Sequence, residues 1–351
     1  MNLMNIQKHL NLADCTSFGT GGPSEVFVAA ESVEDVLETL KTQPRPFWLL
    51  GRGANTLISD HGLPGTTIQL TLNSHRFNSH HVVAESGMGW DSLVSASLDE
   101  GLWGLELTSG IPGTVGAAVV GNIAAYGQAV SDTLEWVEIV DYSKTDLEIE
   151  RVPASDLGLS YRNSKLNGSD YNTVIILRAS FRLSAQKTTD LKYESAIKVA
   201  KETGLDVDDL HHRRKIILEA RRRAGSLLDP KHQQKTAGSF FKNPLVSPDL
   251  AEMVMKFEER NVTRDAIRRQ NIIHGGDAQR VSAAHVILAA GFKRGQTWGP
   301  VRIHPEHALK IENTGGATSK QIYDVAQEII STVKIKLGIQ LEPEVRFMGE
   351  F

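Results

Sequence analysis

Hydrophobic and polar residues follow two periodicities along the chain, which together predict a mixture of helices and strands. Helical spacing of apolar residues predicts helices over residues 32–42, 90–100, 207–223, 281–290 and 318–337. Period-2 alternation, or a short apolar run, predicts strands over 47–50, within 66–85, and over 134–141, 173–183 and 340–347. Ser32 and the pair Thr318 and Gln321 are helix-capping signals, and Gly101 and Gly338 mark helix ends.

One stretch departs from both periodicities. Residues 109–127, SGIPGTVGAAVVGNIAAYG, hold five glycines and no charge. The run is long enough to raise the question of a membrane span, but its glycines, proline and polar residues would leave backbone groups unpaired in lipid. Small residues instead let backbone N–H groups approach a ligand closely. We interpret the stretch as a cofactor cradle, with a tightly packed turn-rich segment as the alternative.

A second glycine-containing segment follows the strand predicted over 47–50. It reads Gly51, Arg52, Gly53, Ala54, Asn55, Thr56, and a strand followed by Gly-x-Gly is typical of a loop that binds pyrophosphate. The third glycine of the dinucleotide fingerprint is missing, and no long helix is predicted after the loop. A Rossmann unit is therefore disfavoured.

Charge and cysteine content narrow the class of protein. The net charge of −4 argues against nucleic acid as the main partner, and a single cysteine excludes a disulfide framework or a cysteine-rich metal site. The N-terminal residues have no apolar run typical of a secretory signal. We expect a cytoplasmic protein with neither a membrane segment nor a metal site.

Two polar segments have ambiguous chemistry when taken alone. The runs HHRR and RRR within 207–223 predict a solvent-exposed basic face. The segment 236–244, TAGSFFKNP, brings a hydroxyl, a cation and an amide together, but it lacks the Gly-x-Ser-x-Gly of a serine hydrolase.

The order of the motifs carries more information than any one of them. The loop at 51–56, IPGTVG with the following Asn and AYG, SYRNS at 160–164, GSFFKNP at 238–244 and LEPEVRF at 341–347 occur in that order. Together they resemble the UDP-N-acetylenolpyruvoylglucosamine reductase (MurB) family, and the resemblance extends from about Phe18 to Phe347.

The resemblance implies an α+β fold. An FAD-binding domain of the vanillyl-alcohol-oxidase (PCMH) type, with two α/β subdomains, would occupy residues 17–185. A smaller α+β substrate domain would occupy 186–351, its last strand returning to the flavin. The implied reaction uses NADPH and non-covalent FAD to reduce the enolpyruvyl ether of a UDP-N-acetylglucosamine to UDP-N-acetylmuramate, a peptidoglycan precursor. A monomer is favoured.

The resemblance also implies roles for individual residues. Ser239 matches the proton donor to C2 of the substrate, and Arg162 and Glu344 match the pair that stabilises the enolic intermediate. The implied FAD contacts are Gly51, Arg52, Gly53, Ala54, Asn55, Thr56, Ser109, Ile111, Pro112, Gly113, Gly116, Asn122 and Arg346. The implied substrate contacts are Tyr126, Tyr193, Lys242, Asn243 and His307, with Tyr193 closing over the UDP group in one class of the family.

Several positions depart from the family pattern. Ala54 replaces a usual serine, Gly121 and Ala124 replace residues that are often Gln and Gly, and Ser226 stands near a diphosphate-binding lysine of some members. Lys231 and Lys235 are the candidate substitutes for that lysine. Two other functions stay open at this point: a flavin-dependent oxidase of a small alcohol or acid, and a non-catalytic protein that binds flavin or a nucleotide sugar.

Overall fold

The computed structural model describes residues 5–168, 172–227, 235–255 and 280–351, so Lys231 lies outside the described residues. The described chain divides into two compact units. The first unit falls within residues 1–10, 24–52 and 64–221, and the second within 11–23, 53–63 and 222–351. Within the described ranges, no helix has the length and apolar character needed to cross a bilayer.

A four-stranded sheet and one helix form the first layer of the first unit. The sheet has the order β1-β2-β5-β3, with β1 at Asn5–Asn11, β2 at Pro23–Ala30, β3 at Phe47–Leu50 and β5 at Leu63–Leu70. Helix α1 (Val33–Thr42) begins at Ser32, whose side chain and that of Asp35 form a reciprocal capping box. Val36 and Leu40 of this helix are buried against the sheet with Phe47 and Ile68. The predictions for 32–42 and 47–50 are confirmed.

A second, antiparallel sheet carries the Gly-rich stretch. Its order is β11-β10-β12-β7-β6, with β6 at His75–Asn78, β7 at His81–Glu85, β10 at Leu134–Asp141, β11 at Ile149–Pro153 and β12 at Val174–Arg182. Helices α2 (Trp90–Asp99) and α3 (Val115–Val120) pack on it through Trp90, Val115 and Phe181. Two further helices, α4 (Glu194–Thr203) and α5 (Leu210–Arg223), and the short strands β8 (Ala124–Ala125) and β9 (Gln128–Ala129) complete this part.

The second unit is built from short strands and helices around one core. Strand β4 (Thr56–Ile58) pairs in parallel with β16 (Arg346–Met348), and β13 (Thr297–Trp298), β14 (Val301–Ile303) and β15 (Ile311–Asn313) form a separate sheet. The helices are α6 (Pro248–Met255), α7 (Ala283–Ala289) and α8 (Ser319–Leu337). The two kinds of sheet with packed helices confirm the α+β fold.

The strand predicted over 340–347 is wrong for most of its length. Regular strand structure covers only Arg346–Met348, because Pro343 has no N–H to donate to a ladder. Residues 341–345 still pair with the chain, through single hydrogen bonds and one isolated bridge between Phe241 and Pro343.

Helix α8 is held at its N-terminus by two side chains. Thr318 accepts a hydrogen bond from the Gln321 N–H at 3.1 Å, which confirms the predicted capping box. Asp60, just after β4, accepts the N–H groups of Ser319 and Lys320, each at 2.8 Å. A carboxylate on these free amides is favourable because it satisfies them and complements the helix dipole. Asp60 therefore links the segment after β4 to the longest described helix.

Replacing Asp60 by alanine should lower the free energy of unfolding by about 1 kcal/mol, because two helix N-terminal amides lose their acceptor. Urea unfolding followed by circular dichroism measures this change. Asp324→Ala is the matched control on the same helix, since Asp324 forms an exposed i,i+4 pair with Lys320, and its loss should cost about 0.5 kcal/mol or less. An equal effect of the two substitutions would contradict the capping role of Asp60.

Candidate active site

In the second unit, the segments that contain Ser239 and Glu344 are hydrogen-bonded to each other. The Glu344 N–H donates to the Phe240 carbonyl at 2.8 Å, and the Lys242 N–H donates to the Glu342 carbonyl at 2.9 Å. The Lys242 ammonium also lies 3.6 Å from the Glu342 carboxylate. The fold therefore brings together two of the predicted catalytic residues, although about a hundred residues separate them in the chain.

Asn55 joins the Gly-x-Gly loop to the segment that contains Glu344. Its side-chain amide donates to the Glu344 carbonyl at 2.9 Å, and its own carbonyl accepts the Arg346 N–H at 3.0 Å. Arg346 then pairs with Thr56 at the start of the parallel ladder between β4 and β16. The predicted FAD contacts 53–56 and Arg346 thus lie beside the predicted catalytic Glu344, all within the second unit.

The remaining predicted contacts in the second unit lie at the ends of neighbouring elements. The Asn243 side-chain oxygen accepts the Ala283 N–H at 2.9 Å, at the start of α7. His307 lies in the turn between β14 and β15, where its Nδ1 accepts the Leu309 N–H at 3.3 Å. Lys235, one candidate for a diphosphate contact, runs along Gly19, because a Cβ on Gly19 would lie 3.0 Å from its Cδ.

In the first unit, the structure brings Arg162, Tyr126 and Tyr193 into one cluster. The rings of Tyr126 and Tyr193 are 5.2 Å apart in an edge-to-face arrangement. Burial raises the pKa of the Tyr193 hydroxyl, and the nearby positive charge of Arg162 opposes that rise. The Arg162 guanidinium itself lies 5.7 Å from the Tyr161 ring. The cluster combines a cation with phenol hydroxyls in a largely buried setting.

The loop that carries Arg162 is anchored to the Gly-rich stretch. The Asn122 side chain donates to the Ser160 carbonyl at 2.8 Å and accepts the Ser131 N–H at 3.0 Å. Ser164 donates to the Val120 carbonyl at 2.7 Å, at the end of α3. Asn122 therefore holds the position of the loop that carries Arg162, in addition to its predicted contact with FAD.

Arg221 of α5 binds the Gly-rich stretch directly, and Arg214 binds it through Asp91. The predicted solvent-exposed basic face is therefore wrong for these two arginines, whereas Arg222 and Arg223 are exposed. Arg214 donates two hydrogen bonds, at 2.6 and 2.8 Å, to the Asp91 carboxylate. Asp91 also accepts the Gly110 N–H at 2.6 Å, and Arg221 donates to the Gly110 carbonyl at 3.2 Å. Both peptide groups of Gly110 are therefore fixed by side chains from outside the stretch.

A third arginine of the same helix is fully buried. Arg213 lies 3.3 Å from the Glu106 carboxylate and donates to the carbonyls of Val207 and Thr189. Glu106 in turn accepts the Gly104 N–H at 2.9 Å and the Gln128 amide at 3.2 Å. Removal of both charges from water is compensated here by several hydrogen bonds to each partner.

These positioning residues were not identified from the sequence. Arg214 and Arg221 are seven residues apart, a spacing that places them on the same face of a helix and could have signalled a shared target. Nothing in the sequence pairs that face with Asp91, because the partner lies more than a hundred residues earlier.

In the Gly-rich stretch, Gly113 leaves room for the close approach of a cofactor such as FAD, whereas Gly53 of the second loop is required by packing within the protein. Gly113 has φ +113°, and a Cβ there would meet nothing within 4 Å, so its backbone faces open space. Gly53 has φ +59°, and a Cβ there would lie 1.9 Å from the Cys15 carbonyl, so only glycine is tolerated. Beside Gly116, the buried Ser86 hydroxyl has no hydrogen-bond partner among the described residues. It is a donor available to a bound group.

Comparisons with known proteins show the family of the chain. Residues 24–147 match a family model described as FAD binding domain. Residues 229–348 match the model described as UDP-N-acetylenolpyruvoylglucosamine reductase, C-terminal domain. The chain is 33% identical to the UDP-N-acetylenolpyruvoylglucosamine reductase of Thermobifida fusca, over 97% of this chain and 98% of that protein. It is also 33% identical to the reductase of the same name from Saccharopolyspora erythraea, over 95% and 93% of the two chains.

A solved structure gives the same result. The crystal structure of UDP-N-acetylenolpyruvylglucosamine reductase (MurB) from Thermus caldophilus superposes with a TM-score of 0.67 at 26% identity. The match covers 99% of this chain and all of that one.

The Asp91 carboxylate should make the stability of the protein depend on pH. Burial acts to raise its pKa, but the hydrogen bonds from Arg214 and the Gly110 N–H, with the charges of Arg214 and Arg221, outweigh burial and lower it. A carboxyl whose pKa is lowered in the folded protein contributes stability above its unfolded pKa of about 3.9, and that contribution is lost as the pH falls through the folded value. Asp91→Asn should therefore destabilise the protein at pH 7, and the difference from the unsubstituted protein should shrink in acid.

Urea unfolding at pH 7 and at about pH 3.5 measures this difference. Asp99→Asn is the control, because Asp99 is an exposed carboxyl on the same helix. A destabilisation by Asp91→Asn that is the same at both pH values would mean that charge is not the cause.

Proposed function

Because the chain belongs to the UDP-N-acetylenolpyruvoylglucosamine reductase family, we propose that it reduces the enolpyruvyl ether of a UDP-N-acetylglucosamine with electrons from NADPH. The backbone of 51–56 and 109–116 would hold FAD, which would supply the hydride chemistry between NADPH and the substrate. The chain is accordingly an FAD-dependent oxidoreductase of peptidoglycan precursor synthesis. The observation that carries this proposal is the pairing of the Ser239 and Glu344 segments beside the loop 53–56.

Ser239 is the residue that we propose to supply a proton. Hydride addition at C3 of the enolpyruvyl group leaves negative charge that extends from C2 into the neighbouring carboxylate. C2 then takes a proton from the Ser239 hydroxyl. A serine is a weak acid, but the carbon that it protonates is strongly basic, so the position of the donor matters more than its pKa. Ser239 is half-buried, so the residue is partly accessible.

Glu344 and Arg162 are proposed to polarise the substrate carboxylate and to stabilise the enolic intermediate, Arg162 by its positive charge and Glu344 as a carboxyl that donates a hydrogen bond. Preorganised donors and charges lower the barrier most when they need no rearrangement during the reaction. Two backbone hydrogen bonds hold the Glu344 residue, one from its own N–H to Phe240 and one from Asn55 to its carbonyl. The loop of Arg162 is held by the side chains of Asn122 and Ser164. Both residues are thus fixed by their backbones, independently of a substrate.

The remaining site residues are proposed to bind and orient. The backbone of 51–56 and 109–116 is proposed to hold the FAD pyrophosphate and ribityl groups, with Asn122 and Arg346 nearby. Tyr126, Tyr193, Lys242, Asn243 and His307 are proposed to hold the UDP-sugar. We also propose a cytoplasmic location, where NADPH and nucleotide sugars are available. The domain limits 17–185 and 186–351 stay a prediction.

An oxidase of a small alcohol or acid is not favoured. It would leave the pairing of Ser239 with the Glu344 segment without a role, because oxidation of an alcohol needs no proton donor at carbon. A non-catalytic binding protein is disfavoured for the same reason.

Purified protein should be yellow from bound flavin, and NADPH should be consumed only slowly unless the enolpyruvyl UDP-sugar is present. Ser239→Ala should leave flavin reduction by NADPH within about twofold and slow reoxidation by the sugar roughly 10²-fold or more, because only the second step needs the proton. Stopped-flow absorbance at the flavin band follows the two steps separately.

Ser247→Ala serves as the control, since Ser247 is an exposed serine that precedes α6 in the same unit. A colourless protein that binds no FAD would refute the proposal. Equal loss of both steps in Ser239→Ala would refute the role given to the serine.

A further inference from the structure

A buried lysine lies directly across from Ser239, and the proposed mechanism gives it no role. Lys310 is 2% exposed, although lysines are almost never fully buried unless they are paired. The backbones of Ser239 and Lys310 form an antiparallel bridge, and the Phe240 N–H donates to the Leu309 carbonyl at 2.8 Å. Residues directly opposite in such a pair have Cβ atoms about 4.5–5.5 Å apart and point to the same side.

The side chains next in sequence show which side that is. Phe240, Leu309 and Ile311 are buried in the hydrophobic core of the second unit. Because successive side chains of an extended segment point to opposite faces, Ser239 and Lys310 point away from this core. Lys310 therefore lies on the same face as the proposed proton donor, Ser239, and not in the hydrophobic core.

A histidine lies beside Lys310 on the next strand, so that three side chains form a row across neighbouring segments. His304 donates its N–H to the Lys310 carbonyl at 2.9 Å, just beyond the paired residues Ile303 and Ile311 of β14 and β15. Burial lowers the pKa of His304, and the charge of Lys310 contributes to that shift. The His304 Nδ1 accepts the Glu306 N–H at 3.0 Å, so the ring is held in one orientation. The row therefore runs His304, Lys310, Ser239 across three neighbouring segments.

The Lys310 ammonium is held in place by the chain after α5. It donates a hydrogen bond to the Gly225 carbonyl. Gly225 covers the row, since a Cβ there would lie 3.9 Å from the His304 Cε1 and 3.8 Å from the Glu306 Cβ. Gly225 has φ +61°, a conformation that suits glycine. The ammonium is thus held in place by a backbone carbonyl of the chain after α5.

We propose that Lys310 is a positioning residue for proton transfer, whose fixed positive charge makes the Ser239 hydroxyl a better proton donor. The inference rests on the proposed function of Ser239. In the step, the Ser239 O–H bond breaks, a C–H bond forms at C2 of the reduced substrate, and an alkoxide remains on Ser239. Lys310 keeps its own protons throughout. Water reprotonates the alkoxide before the next turnover.

The expected size of the effect follows from the electrostatics of a nearby charge. For an ammonium within about 4–6 Å of the hydroxyl, the pKa of an acid would be lowered by 1–3 units. Part of such a shift is expressed in the rate of proton transfer, so loss of the charge should slow the step about tenfold to a hundredfold.

Three substitutions of Lys310 separate the charge from the hydrogen bond to Gly225. Lys310→Arg keeps the charge, Lys310→Gln keeps a donor without charge, and Lys310→Met removes both. Lys336→Met is the matched control, because the Lys336 ammonium also donates to a backbone carbonyl, that of Ala290 at 2.7 Å, in the same unit. Thermal unfolding and FAD affinity are measured for each variant, so that a folding defect is recognised.

Stopped-flow reoxidation of the reduced enzyme by the enolpyruvyl UDP-sugar should be slowed about tenfold to a hundredfold in Lys310→Gln and Lys310→Met. Lys310→Arg should restore most of the rate, and Lys336→Met should match the unsubstituted protein. Flavin reduction by NADPH and FAD affinity should change less than about twofold in all of them. The solvent deuterium isotope effect on reoxidation should increase in Lys310→Met, because proton transfer becomes more rate-limiting.

Other outcomes would overturn the inference. An unslowed Lys310→Gln would show that the hydrogen bond to Gly225 is what matters, and equal slowing of both steps would show a purely structural role. If the unsubstituted protein reoxidises with the sugar and Ser239→Ala does not, while Lys310→Met does, only the inference fails. If the unsubstituted protein itself does not reoxidise with the sugar, the proposed function fails and the inference falls with it.

Discussion

The second unit depends on a short antiparallel contact between residues 240–242 and 342–344. Two backbone hydrogen bonds and one isolated bridge form it, because Pro343 prevents a longer ladder. Asn55 then binds the C-terminal segment of this contact and its continuation, through the Glu344 carbonyl and the Arg346 N–H. Ser17 holds the loop from its other side. Its N–H donates to the Gly53 carbonyl and its hydroxyl donates to the Ala54 carbonyl, each at 3.0 Å. A loop proposed to hold FAD and a carboxylate proposed to act on substrate are therefore parts of one hydrogen-bonded segment.

In the first unit, buried ion pairs and not backbone pairing fix the backbone of the Gly-rich stretch. The Gly-rich stretch has few side chains of its own with which to fix its backbone, since small residues contribute little packing. Helix α5 supplies the missing contacts through Arg213, Arg214 and Arg221, which bind Glu106, Asp91 and Gly110. Burial lowers the pKa of the Arg221 guanidinium, and the neighbouring Tyr126 and Asp91 oppose that fall. Charges that are hydrogen-bonded on several sides specify a geometry more sharply than apolar packing does, because a misplaced partner leaves a buried charge unsatisfied.

In both units, charged side chains are thus held in position by the protein itself, before a ligand binds. A reaction that builds negative charge beside a carboxylate benefits from fixed donors and cations, since their reorganisation would otherwise add to the barrier. Arg162 in the first unit and Lys310 in the second unit are cations whose positions are set by the protein, Arg162 through a loop held by Asn122 and Ser164 and Lys310 through Gly225. Ser239, a weak acid, is the residue that gains most from such an environment, because its conjugate base is the least stable of the groups involved.

The sequence alone indicated the family and predicted several of the helices and strands. Ser32 and Thr318 cap the helices that their patterns predict, and the motif order from Gly51 to Phe347 indicated the reductase family and its α+β fold. Local rules sufficed there, because caps and periodicity act over a few residues. Tertiary structure alone decided that Arg213 is buried, that 341–345 pairs without forming a strand, and that Lys310 lies across from Ser239. Each of these depends on a partner about seventy or more residues away, and no local pattern of charge or hydrophobicity encodes which distant segment will be that partner.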